Sequence, residues 1–156
     1  MKRVSKYVYF LITLAFFIWI DLHFSDMLAA GTQNGMRSQI DLMNLVYVKN
    51  TGAAFSILQS STEMLIIFSV VAVAFLFYYV IRNLDTILMK EIFCFSLLIA
   101  GICGNMYERI HFGYVRDFFE LTFVNFPVFN ISDIFINVGF FSIIILILLS
   151  KKPIKF

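Results

Sequence analysis

Four apolar runs, each long enough to cross a lipid bilayer, divide this chain and leave few folds open to it. A span needs about 20 mostly apolar residues. The runs cover about residues 4–20, 64–81, 87–106 and 131–149. Asp21, Arg82 and Lys151 stop the first, second and fourth. The third is the weakest, because Lys90 and Glu91 stand near its start, where long side chains snorkel toward water. Composition agrees: 61% of residues are hydrophobic and 14% charged, against about 45–50% and about 25% in a soluble domain. So small a globule has too little interior to hide the excess. The expectation is one membrane domain over residues 1–156.

Flanking charge sets an orientation. Lys2, Arg3, Lys6, Arg82, Lys90, Lys151, Lys152 and Lys155 fall on one side of such a topology; Arg37, Lys49, Arg109 and Arg116 fall on the other. The bias predicts cytoplasmic termini, with two longer loops, about 21–63 and 105–130, facing outward. The first run resembles a secretory leader, but the polar stretch from Asp21 to Asp26 separates it from Ala29 and Ala30. It reads as a retained anchor. In the first outer loop, residues 29–39 read as a connection, and Asn44 to Lys49 as a short strand rich in extended-backbone formers. Asn50, Thr51 and Gly52 would turn it. The fold class is therefore an all-α integral membrane protein: four transmembrane helices, a small extracytoplasmic β-sheet, and a periplasmic loop or helix segment.

Other classes find little support. A net charge of +2 without a basic face is too small to argue for nucleic acid, and none is expected as a partner. Cys94 and Cys103 lie at different depths of one run and read as small packing residues, with no metal-ligand spacing. His23 and His111 fall in different loops and no HExxH motif occurs. Ser56, Ser60 and Ser61 lack the GxSxG context of a nucleophile. No metal and no cofactor is expected. A transporter would place polar groups near the midplane with internal repeats, whereas here they gather at one face.

That gathering carries the functional reading, since ionisable groups next to spans are costly. Asn105, Glu108 and Arg109 close the third run, Asp117 follows, and Asn130 and Asp133 open the fourth. Both ends of this hairpin lie at similar depth. Phe118, Phe119, Leu121, Phe123, Phe126 and Phe129 would hold it at the lipid interface. Asp117 and Asp133 can then meet where both cannot ionise cheaply, so one pKa rises and the pair shares a proton. Aspartic proteases use that arrangement. Plainer roles stay open for each residue. Asp133 also fits a helix cap, Asp117 a loop charge paired with Arg116 or Arg109, and Asn105 and Asn130 the satisfaction of helix ends.

Three stretches resemble the bacterial lipoprotein signal peptidases, or signal peptidase II. They are Val48 to Phe55 (VKNTGAAF), Gly101 to Arg109 (GICGNMYER) with Gly113 to Phe118 (GYVRDF), and Phe126 to Asp133 (FPVFNISD). The resemblance implies an aspartic endopeptidase of the inner, or cytoplasmic, membrane that cleaves diacylglyceryl-modified prolipoproteins before the lipidated cysteine. It implies Asp117 and Asp133 as catalytic residues, and Asn50, Gly52, Asn105, Arg109 and Asn130 as substrate-binding. Asp21, Phe55, Gly104 and Glu108 become structural or site-shaping. The implied partners are the prolipoprotein, membrane lipids and cyclic lipopeptide inhibitors of the globomycin type. The chain departs from the family pattern at Ser25, Glu108 and Ser132, where the family usually has lysine, aspartate and alanine. The alternatives are a catalytically impaired paralogue that binds lipopeptides and a non-enzymatic small membrane protein.

Overall fold

The computed structural model describes residues 2–33, 39–40, 42–52 and 62–149. The elements run α1 (Arg3–Gln33), β1 (Gln39–Ile40), β2 (Met43–Asn50), α2 (Thr62–Arg82), α3 (Met89–Phe112), β3 (Val115–Leu121) and α4 (Ile131–Leu149). The four helices are each long and apolar enough to cross a membrane, so the chain is a multi-pass membrane protein. The strands form one antiparallel sheet in the order β1-β2-β3. Phe55 and residues 53–58, expected to carry the chain back from the turn, lie outside the described residues.

α4 begins where the sequence predicts, because Asn130 and Asp133 cap it reciprocally. The Asp133 N–H donates to Asn130 Oδ1 at 2.9 Å, and the Asn130 N–H donates to Asp133 Oδ2 at 3.2 Å. Two first-turn N–H groups are thereby satisfied.

Two helices outrun their predicted ends. α1 continues past Asp21 to Gln33, about 46 Å at 1.5 Å per residue, so residues 29–33, expected in a connection, are helical. Charge did not stop it because Asp21, Ser25 and Ala29 continue the buried stripe of Phe10 and Phe17. They face protein, not lipid or water. α3 runs on to Phe112, which places Glu108 and Arg109 on the helix rather than in a loop. It ends at Gly113, whose φ of 79° reverses the chain into β3. His23 and His111, expected in loops, lie on α1 and α3.

α3 is the central helix. Over half of its span is buried, 56% against 6% for α2 and 11% for α4. Lys90 and Glu91 weaken its apolar signal, yet neighbouring helices supply most of its surroundings. Gly139 lets α4 pack closely on it: a Cβ there would lie 2.8 Å from Leu98 N. Cys94 and Cys103 are unpaired on α3.

The segment between α3 and α4, expected as a loop or helix segment, contributes the third strand. β3 pairs with β2 from Met43↔Leu121 to Asn50↔Val115, with a register shift between Leu45 and Val48. Phe118, expected at the lipid interface, is instead fully buried, its ring 5.9 Å from that of Tyr47. Phe123 and Phe126 are exposed. The chain before α4 then folds back onto β3. Phe129 O accepts from Phe118 N and Phe119 N, and Phe129 N donates to Phe119 O, at 2.9–3.1 Å. That clamp sits directly beside Asp117 on one strand and Asn130 on the other.

Candidate active site

A cavity of about 690 Å³ opens where β2, β3, α3 and α4 meet. Asp117 and Asp133 both line it, with Asn50, Gly52, Asn105 and Arg109. Asn130 lies just behind the wall, 3% exposed, and touches both aspartates. Seven of the predicted site residues thus converge from four elements and a turn.

Three asparagines hold the carboxylates, and their amides can be oriented in only one way. Asn50 Oδ1 accepts from Gly52 N at 3.0 Å, so its Nδ2 is the atom that donates to Asp117 Oδ2 at 2.9 Å. Asn130 Oδ1 accepts from Asp133 N, which turns its Nδ2 toward Asp117 Oδ1 at 2.9 Å and Asn105 Oδ1 at 3.0 Å. Asn105 Nδ2 is then left to donate to Asp133 Oδ1 at 2.9 Å. Each carboxylate oxygen accepts one N–H and keeps a lone pair for something else.

Asp117 is no solvated loop charge paired with arginine. It is buried on β3 and bonded to neutral amides. Burial pushes its pKa from 3.8 to about 7; the Asn50 hydrogen bond opposes this, and the nearby Asp133 charge adds to it. Asp133 fills the plainer role foreseen for it, capping α4, while also presenting its carboxylate to the cavity.

Arg109 does not reach Glu108. Its guanidinium donates to Asn105 O at 3.1 Å and to Gly52 O at 3.0 Å, pinning the turn after β2 to α3. Glu108 instead receives Arg116: Nε donates to Oε1 and Oε2 at 2.9 and 2.8 Å, and the Arg116 N–H to Oε2 at 3.1 Å. Asp26 on α1 takes Arg116 Nη2 at 2.9 Å. Burial alone would lower the Arg116 pKa, but Glu108 and Asp26 together raise it. Asp21 and Gly104 also stand behind the cavity. Asp21 Oδ2 accepts from Ser132 Oγ at 2.6 Å, and a Cβ on Gly104 would lie 1.7 Å from that oxygen. Gly104 is therefore a residue of space, and the departure at Ser132 is the hydroxyl that bonds Asp21 Oδ2, while Asp21 Oδ1 is buried without a partner among the described residues.

The family profile of signal peptidase (SPase) II matches residues 10–149. The chain belongs to the signal peptidase II family. It is 38% identical over 120 residues to a lipoprotein signal peptidase of Caldicellulosiruptor bescii, covering 72% of this chain and 77% of that protein. It is 36% identical over 138 residues to a lipoprotein signal peptidase of Lactococcus lactis subsp. lactis, covering 85% and 88%. Among solved structures it resembles a bacterial membrane enzyme determined by the in meso method at 2.3 Å, with a TM-score of 0.78, 25% identity and 94% of each chain covered. A second, at 1.9 Å, gives a TM-score of 0.77 at 26% identity, covering 92% of this chain and 94% of that one.

Sequence reasoning missed the part of the cavity wall formed by Pro127, Val128, Ile134, Asn137 and Val138, and read Phe126, which also lines it, only as an interfacial anchor. Asn137 carried a legible signal, an amide four positions after Asp133 in an otherwise apolar helix.

Proposed function

We propose that this signal peptidase II cleaves diacylglyceryl-modified prolipoproteins before the lipidated cysteine, with Asp117 and Asp133 as its catalytic pair. One observation carries the reading. Asn130 donates its side-chain amide to Asp117 and its backbone N–H to Asp133, so a single residue seats both carboxylates on one cavity wall. Burial raises the Asp117 pKa to about 7, so this group can carry a proton at neutral pH and share it with its neighbour.

The ionised member takes a proton from water, and the hydroxide attacks the scissile carbonyl carbon. The protonated member donates to the carbonyl oxygen. The tetrahedral species collapses: one of its hydroxyls returns a proton to the aspartate that had donated it, the C–N bond breaks, and the proton taken from water passes from the other aspartate to the leaving nitrogen. The products are a carboxyl-terminated signal peptide and the free amine of the lipidated cysteine. No enzyme–substrate bond forms. Asn50, Asn105 and Asn130 keep the carboxylates in place, and Arg109 holds the Gly52 turn that borders the cavity.

The Arg3–Asp85 ion pair, at 2.8 Å, puts the start of α1 at the α2–α3 turn. Together with the basic flanks, this supports cytoplasmic termini and a site at the outer face. The mixed polar and apolar lining of the cavity supports cyclic lipopeptides of the globomycin type as inhibitors.

The deciding experiment incubates detergent-purified protein with a diacylglyceryl-modified prolipoprotein, alongside Asp133→Asn. Cleavage by the wild type and none by the variant is expected. A folded wild type that binds lipopeptide without cleaving would point to an impaired paralogue.

A further inference from the structure

From Ile134 to Leu149, α4 carries only two polar side chains, Asn137 and Ser142. Asn137 is exposed and lines the cavity together with Asp133, one helical turn away. An amide in that position costs free energy unless something bonds to it. The protein meets part of the need: Asn137 Nδ2 donates one N–H to the Asp133 backbone oxygen at 2.8 Å. Among the described residues, nothing else bonds to the amide, so an N–H and the Oδ1 acceptor stay open. Ile134 and Val138 flank it, and Phe126 to Val128 border the same space.

We propose that Asn137 binds the main chain of the signal peptide upstream of the scissile bond, pairing with one peptide unit as donor and acceptor. The proposal rests on the reading that Asp117 and Asp133 are the cleavage site. A bond open to attack cannot lie inside a helix, so the residues around it lose their intrahelical hydrogen bonds. In a bilayer nothing but the enzyme can replace them. A free donor beside a free acceptor complements a peptide N–H and C=O. The esters of a diacylglyceryl group offer acceptors only and would leave Oδ1 unpaired. Depth agrees as well. Asn137 lies about 6 Å beyond Asp133 along the helix, the reach of about two residues of extended chain. The apolar part of a signal peptide must run in that direction, into the membrane. Asn137 is thus a specificity residue, and catalysis does not pass through it.

The test compares wild type with Asn137→Leu, a substitution that suits a lipid-facing helix. Substrates are a lipidated prolipoprotein peptide and the same peptide N-methylated at single backbone amides one to three residues before the scissile bond. Asn137→Leu is expected to raise KM about tenfold, with kcat within about twofold and Tm unchanged. One N-methylation should raise the wild-type KM about tenfold and leave the Asn137→Leu KM where it was. An unchanged KM, equal N-methyl penalties in both enzymes, or a joint fall of kcat and Tm would overturn the proposal. Kd for the unmodified peptide is also measured in an Asp133→Asn background with and without Asn137→Leu. A tenfold weakening there supports the contact even if no enzyme cleaves, a result that would sink the catalytic pair alone; equal Kd values would sink the contact.

Discussion

The Asp117–Asp133 pair and Glu108 stand side by side at one end of this bundle, and their carboxylates are held in opposite ways. Asp117 and Asp133 are bonded by neutral amides of Asn50, Asn105 and Asn130. Glu108 is bonded by the guanidinium of Arg116, which Asp26 also holds. An amide stabilises a carboxylate geometrically but supplies no full charge, so the group can still gain and lose a proton near neutral pH. A guanidinium brings a full charge to its partner, and removing either ion strands the other in a poor solvent. The first arrangement keeps acid–base chemistry available. The second joins α1, α3 and β3 into a frame. The donors, neutral amides on one side and a guanidinium on the other, distinguish the proposed catalytic pair from Glu108.

The comparison can be broken most directly at Asp117. Asp117→Asn should lower cleavage by about 10⁴-fold or more while leaving a folded, monodisperse protein by size-exclusion chromatography. Wild-type rates in that variant would end the distinction. On the other side, Glu108→Gln should cost about 3 kcal/mol of stability by leaving Arg116 poorly paired, read as a large fall in Tm in detergent. An unchanged Tm with lost activity would mean that Glu108 belongs to the chemistry.

Asn130 spans both descriptions, since it caps α4 and seats both aspartates. Asn130→Ala should lower kcat about 100-fold, with a stability loss near 1 kcal/mol from the missing cap. A loss confined to Tm would make it a cap only. The smallest effect sharpens the picture through pH. The Asp117 pKa rises from 3.8 unfolded to about 7 folded. The folded state therefore binds this proton more tightly, and the resulting stability is complete below about pH 4 and lost as pH rises through 7. Thermal melts between pH 4 and 8 should show that decline in wild type and a shallower one in Asp117→Asn. Cleavage should fall over the same upper range as the shared proton is lost.

Much of this was legible from residues alone. The start of α4 was legible because its apolar run and its Asn130–Asp133 cap say the same thing. The first and third spans were read short for one reason: Asp21, Ser25, Glu108 and Arg109 look like exits from lipid, but they face protein. Hydropathy does not reveal which side of a helix its neighbours cover. β3 was hidden because Phe118 and its aromatic neighbours fit an interfacial loop as well as a strand. That Asn50, Gly52, Asn105, Arg109, Asp117 and Asp133 belong together was implied by the family resemblance, and they line one cavity. The amide orientations could not, because each is decided by a bond to a residue far away in the chain, such as Asn50 to Asp117 or Asn105 to Asp133.

The central place of α3 has a consequence for how this protein is made. The helix with the poorest claim to a lipid environment is the one the other helices enclose. Delivered alone to an insertion machinery that partitions segments by hydrophobicity, α3 would enter inefficiently. The brief turn from Asn83 to Leu88, tied to the N-terminus by Arg3 and Lys6, makes α2 and α3 a hairpin that can be delivered together, so the strongly apolar α2 carries its partner in. α4, which closes over α3 through Gly139, comes last. Because α4 carries Asp133 and α3 carries Asn105, the proposed catalytic pair is held in place only once α4 has packed against α3.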